Sequence, residues 1–196
     1  MASRLTQVLS IVLMAGAAAG CATAPSRFYT LAATATASDA PAARTAVIVG
    51  PVSVPASVDR PEFVVQVAPN RVELDEFNRW AAPLNEAIAA AVAGDLAVLL
   101  GTPDVATAPM ANFNPAYRVT LNVQRFESVP GESVLVDVVW AVHQLAGGDT
   151  RSGRTAARET VQGEGFDALA AAHSRALAAV SADIAAAIRA AAAASR

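Results

Sequence analysis

Lysine is absent from this 196-residue chain, cysteine occurs once and histidine twice. All 14 basic residues are therefore arginine, set against 17 acids for a net charge of −3. That mildly acidic balance supplies no basic field for a nucleic-acid backbone, and there is no strongly acidic tail. A single thiol excludes any disulfide within the chain, so stability must come from the core. The two histidines, His143 and His173, stand apart from any cysteine or acid cluster at ligand spacing, and so do not make a zinc site. No Gly-x-Ser-x-Gly elbow is present, and Gly163-Glu164-Gly165 is too short for a phosphate loop; it reads as a break before a helix. Glu73, Asp75 and Glu76 read as a solvated strand end rather than a working carboxylate pair. These absences leave no catalytic, cofactor-binding or metal-ligating residue to assign. A Ser-His-Asp arrangement assembled from distant positions stays open.

What is present starts at the N-terminus. Arg4 precedes an apolar stretch from Val8 to Ala19, and small residues then lead to Cys21. The stretch has 12 residues, well short of the ~20 that span a bilayer as a helix. Residues 1–20 are therefore predicted to be a removable signal peptide. Cleavage between Gly20 and Cys21 resembles the lipobox of bacterial lipoproteins, with Ala18 where leucine is usual. Cys21 is thus the candidate lipid-attachment site: its thiol can become a thioether carrying two acyl chains, with a third on the new N-terminus. One chain gives only marginal membrane binding, at about 0.8 kcal/mol per buried methylene, and several hold firmly. Ala22 stands where lipoproteins kept at the inner membrane commonly have aspartate, which implies the periplasmic face of a Gram-negative outer membrane. The mature chain would have 176 residues, with 13 arginines against 17 acids, enough for one domain with a proper core.

Residues 21–45, rich in Ala, Thr, Ser and Pro, read as the lipidated N-terminus and a flexible tether. Phe28-Tyr29-Thr30-Leu31 is an apolar island within it, suited to an edge strand. Residues 46–196 form the domain. Strands are predicted at Val47 to Val54, broken near Gly50-Pro51, at Phe63 to Val67, and at Arg71 to Asp75 as its hairpin partner. Pro83 opens a helix whose apolar face is Leu84, Ile88, Val92, Leu96 and Leu99, stopped by Gly101 and Pro103. Asp95 falls on that face; a buried, unpaired carboxylate is costly, so it must reach an arginine or the face must be open there. Tyr117 to Gln124 alternates as a half-buried strand. Val134 to His143 is apolar on much of both faces and so should be central, and Arg154 to Val161 is a weaker strand. A long helix follows from Asp167, a plausible N-cap, with Leu169, His173, Leu177, Val180, Ile184 and Ile188 as its stripe. The fold class is α/β: a mixed, largely antiparallel sheet of five to six strands with two main helices in the order β-β-β-α-β-β-β-α. Trp80, just before the first helix, suits a plug at that corner. Such a domain binds or builds something rather than catalysing.

Several pieces in order resemble the PqiC/YmbA-type auxiliary lipoproteins of ABC-type transport systems. They are Phe28-Tyr29-Thr30-Leu31 after the cysteine, Val54-Pro55-Ala56-Ser57-Val58-Asp59-Arg60-Pro61-Glu62, Arg79-Trp80-Ala81-Ala82-Pro83-Leu84 entering a helix, Arg125-Phe126, and Trp140. The resemblance runs from Cys21 to the last helix. It implies a mixed α/β fold and a non-enzymatic accessory role in moving lipids between the two membranes. It further implies an ABC permease and ATPase with a periplasmic MCE-domain protein as partners, membrane attachment through the lipid, and assembly into a homo-oligomeric ring. A lipoprotein scaffold for another envelope machine, in secretion or cell-wall synthesis, is the alternative.

Overall fold

The computed structural model describes residues 25–37, 42 and 45–194. Among these residues eight strands and two helices follow one another: β1 (Arg27–Tyr29), β2 (Val47–Ser53), β3 (Glu62–Ala68), β4 (Arg71–Trp80), α1 (Leu84–Leu100), β5 (Val105–Ala106), β6 (Tyr117–Val129), β7 (Ser133–Gln144), β8 (Thr150–Thr160) and α2 (Gly165–Ala194). The α/β class, the mixed pairing and the strand–helix order are those expected. The strands divide between two sheets, however, one of order β1-β4-β3 and one of order β5-β2-β6-β7-β8. β1 runs parallel to β4, and β2 runs parallel to β5 and β6, whereas β3–β4, β6–β7 and β7–β8 are antiparallel.

The alternation in β6 and β7 sets the core. Val119, Leu121 and Val123 pair with Val142, Trp140 and Val138, all at most 9 % exposed. β7 is interior, between β6 and β8. β2 continues through Gly50-Pro51 instead of breaking. Its register with β6 shifts between Val49 and Val52, a bulge that takes up the residue unable to donate to the ladder.

Both helices lie against the five-stranded sheet and against each other, α1 over β2 and β5 and α2 over β7 and β8. α1 begins one residue after Pro83 and ends where Gly101 turns left-handed (φ 65°), donating its N–H to Val98 O. Leu84, Ile88, Val92, Leu96 and Leu100 form its buried row; Leu99 is only half-buried. α2 is long and apolar enough to cross a membrane by length and composition. Here its stripe is the protein core: Leu169, His173, Leu177, Val180, Ile184 and Ile188 are all 2 % exposed or less. The helix starts at Gly165, so Asp167 lies in its first turn rather than at the N-cap, where its charge still favours the positive end of the helix.

Six rings join the two sheets. Phe63 stacks on Trp80 with centroids 4.3 Å apart, Tyr29 meets Phe63 edge-on, and Phe166 and Phe126 flank the group. His173 completes it, stacked on Phe126 at 3.9 Å. Trp80 thus plugs the corner before α1 as its position suggests.

Trp140 needs the opposite provision. Its indole lies over Gly153 and donates to Thr155 Oγ1 (3.0 Å), which in turn bonds Asp183 of α2 (2.6 Å). A Cβ on Gly153 would fall 2.4 Å from the ring. Gly153→Ala is therefore expected to lower stability by about 1–3 kcal/mol, as overpacking does, measured by urea unfolding. The loss should shrink when Trp140→Leu is made first.

Candidate functional site

The predicted lipid-attachment residue, Cys21, lies outside the described residues. The site that the structure does show is where the chain that follows it meets the body. β1 pairs with the end of β4, the Tyr29 ring sits in the aromatic group, and its hydroxyl donates to Asn78 Oδ1 (2.6 Å). Ala81 N–H donates to Tyr29 O (2.8 Å). The chain then crosses the two helices. Ala32 N–H donates to Ser174 Oγ (3.1 Å) and Thr34 Oγ1 to Ser174 O (3.2 Å). The N–H groups of Thr34 and Ala35 both donate to Asp95 Oδ1, each at 2.8 Å. Residues 27–35, assigned from sequence to the flexible tether, are thus strapped to the body. Their bonds run from backbone to side chains far along the chain, which local composition does not reveal.

Asp95 is the centre of this clamp. It is 0 % exposed, so the face is not open there, and among the described residues its partners are backbone N–H groups and a serine, not an arginine. Ser181 Oγ lies 3.1 Å from Oδ2 and 2.9 Å from Leu177 O. Burial pushes the carboxyl above the usual carboxylate range, opposed by the N–H groups of Ala35 and Thr34 and by Ser181. A protonated acid satisfies every contact. Its Oδ1 accepts both N–H groups, its Oδ2–H donates to Ser181, and Ser181 donates back along the helix to Leu177 O. Gly94 allows the close approach, since a Cβ there would come within 2.7 Å of Ala33 Cβ. The signal that sequence reasoning missed is modest: a Gly-Asp pair inside an apolar helix face, and two serines seven positions apart flanking Leu177 on α2.

The structure also brings together one pair with catalytic residue types. Ser128 Oγ lies 2.8 Å from His173 Nε2. Both residues are buried, at 2 % and 0 % exposed, and Nδ1 has no hydrogen-bond partner among the described residues. Burial lowers the imidazole to about 3, so it stays neutral. With no orienting acid and no open approach, the pair is a polar staple between β6 and α2. His143 lies elsewhere, its Nδ1 2.9 Å from Thr150 Oγ1. Among the described residues, no group of three His, Cys, Asp or Glu side chains could hold a metal ion. Glu73 and Glu76 are exposed, and Asp75 accepts from the N–H groups of Phe77 and Asn78 at 2.9 Å, a local turn bond.

The sequence motifs converge on the strap's point of attachment. Arg79 Nη2 bonds Glu62 Oε1 at 2.9 Å, and Trp80 N–H donates to Pro61 O at 2.7 Å. A sequence model of the ABC-type transport auxiliary lipoprotein component family matches residues 29–185. The chain belongs to this family. A solved but uncharacterised protein shares the fold at 20 % identity, covering 84 % of this chain and 99 % of its own, with a TM-score of 0.69. A Xanthomonas campestris protein of the DUF330 family does so at 18 % identity, 82 % and 93 % coverage and a TM-score of 0.68. A comparison with curated proteins returned no match. As a family member, the chain is a transport auxiliary lipoprotein component associated with an ABC-type system of the cell envelope.

Removing the clamp's acceptor leaves the part-buried N–H groups of Thr34 and Ala35 without that partner, at about 1 kcal/mol each where water can take its place. Asp95→Ala is expected to destabilise by about 1–2 kcal/mol on that basis, and to speed hydrogen exchange at Thr34 and Ala35. Asp95→Asn, which keeps an acceptor for both N–H groups and a donor for Ser181, should stay close to the parent. A near-parental Asp95→Ala would overturn the clamp.

His173 sets a pH dependence of definite sign. Its folded value, about 3, lies below that of the unfolded chain. As pH falls below ~6.5, the unfolded state takes a proton that the folded state refuses, at up to about 1.4 kcal/mol per pH unit. Stability should therefore decline from pH 6.5 towards pH 3. Asp95 works the other way, since it keeps its proton above the pH at which the unfolded chain loses it. Urea unfolding at pH 6.5 and pH 5, in an Asp95→Asn background, should show a slope that His173→Leu flattens.

Proposed function

We propose that this chain is the outer-membrane-anchored lipoprotein subunit of an ABC-type intermembrane lipid transport system. In this role it docks a periplasmic MCE-domain conduit at its destination membrane, through a lipidated Cys21 and a homo-oligomeric ring. The observation that carries the reading is the strap. The chain leaving the candidate lipid-attachment site is bonded within a few residues into the core, by β1 pairing and by the Asp95 clamp. A chain bonded to the body from Arg27 onward suits a part that holds a conduit in place. Lipid tails cannot be left exposed while crossing the aqueous gap, so the conduit needs a receptor fixed at the far side. A tether confined to the membrane surface supplies that receptor at high local concentration. Family membership supports the transport role, and the buried, neutral Ser128–His173 pair supports a role without catalysis.

The test pairs one substitution with one capture. Cys21→Ser is expected to move the protein from the membrane fraction to the soluble periplasm and to abolish its transport role. A variant that stays membrane-bound and fully active would remove the lipid anchor. Photo-crosslinkers on the exposed surface, used in cells with the parent chain, are expected to capture an MCE-domain protein. Capture of a secretion or cell-wall component in its place would favour the scaffold alternative.

A further inference from the structure

The three-stranded sheet carries apolar side chains that stand exposed among the described residues. Phe28 is 63 % exposed on β1, and Val72, Leu74 and Phe77 are 56 %, 46 % and 40 % exposed on β4. Parallel pairing places Phe28 beside Arg79, two residues from Phe77. Isolated exposed apolar residues are ordinary. Val72 lines a cleft with Val64, Gln66 and Arg125 of β6, but the two exposed rings Phe28 and Phe77, close together at the sheet edge, mark a surface that meets something.

Chain length fixes what that is. Six residues separate Cys21 from Arg27, the first residue of β1. Fully extended, six residues reach about 20 Å. On the reading that Cys21 carries the lipid, the sheet edge at β1 lies within that distance of the bilayer. The opposite end of the molecule does not share this constraint. Tyr29 lies 6.1 Å from Phe166, at the start of α2, near the end where β8 and the beginning of β7 pair. Leu145 follows the other end of the 12-residue β7, about 36 Å away along the strand.

We infer that the exposed face of β1 and β4, led by Phe28 and Phe77, rests on the lipid surface beside the anchor. The contact is apolar rather than electrostatic. Arg79 is already paired with Glu62, and exposed Glu73 and Glu76 on the same strand balance Arg27 and Arg71, so the face is not basic. A surface of this kind suits zwitterionic phospholipid, with aromatic rings at the headgroup boundary.

The full lipidated chain, purified from membranes, tests this in phosphatidylethanolamine–phosphatidylcholine vesicles that contain dibrominated phosphatidylcholine. Trp80 and Trp140 are 5 % and 9 % exposed, so the parent chain supplies a constant background to subtract. Phe28→Trp is expected to lose about half or more of its added emission to the bromines, the behaviour of a side chain at the acyl boundary. Leu145→Trp should lose none, and adding phosphatidylglycerol should change neither. If the Phe28→Trp chain sediments with vesicles but its added emission is unquenched, or a crosslinker at position 28 captures a second copy or another protein, the contact is overturned while the anchor stands. Quenching that depends on phosphatidylglycerol overturns the apolar contact. A parent chain that does not sediment removes the anchor reading, and this inference with it.

Discussion

A carboxyl group sealed between two helices has to be satisfied from within the protein, and here the satisfaction comes from the N-terminal strap. Asp95 faces the groove between α1 and α2, and its two N–H donors belong to Thr34 and Ala35. Without the strap, the helix pair would close over a carboxyl left with Ser181 alone, at the cost of a buried polar group only partly satisfied. Without the acid, the stretch after β1 would keep only its bonds to Ser174. Ala32 to Ala35 bury little apolar surface, and fixing each residue costs about 1–2 kcal/mol of backbone entropy. Docking of this stretch is thereby tied to the helix pair. The hydroxyl of Ser181 has a single proton and faces two acceptors, Asp95 Oδ2 and Leu177 O. The conflict vanishes when Asp95 keeps its own proton, and burial favours that form.

The aromatic group extends this junction into the rest of the fold. Tyr29 brings β1 to Phe63, Phe63 meets Trp80, and Trp80 reaches Phe126 and His173. One end of the strap is thus set in the contact between the two sheets, and the other is bonded to both helices. The Glu62–Arg79 pair and the Pro61–Trp80 bond close the same corner from outside. The segments that resemble the family in sequence are the segments that build this corner, so the likeness reports how the N-terminus is mounted.

Periodicity made much of this legible. The α2 stripe from Leu169 to Ile188 is buried throughout, and the alternation in β6 and β7 assigned their inner faces. The division into two sheets was not legible. Alternation tells which way a side chain points, but not which strand lies alongside, and the register of β4 shifts between Asp75 and Arg79, beyond the reach of a period-2 pattern. Asp95 was visible as a misfit in α1, although its partners lie some sixty residues upstream. They are backbone groups, and every residue except proline carries one, so sequence could mark the need without naming the donor.

The Ser128–His173 pair shows why residue types alone do not make a reactive site. A general base works best with a pKa near the operating pH. The surroundings that hold this imidazole in place, the stacked Phe126 ring and the closed core, are the same ones that lower it to about 3. Opening the site enough to restore its basicity would break the aromatic group that joins the two sheets, and with it the mounting of the strap. Stability at this corner and acid–base chemistry there are physically opposed. The buried polar groups here serve packing: Ser128 and His173 join β6 to α2, and Asp95 holds Thr34 and Ala35 against the body.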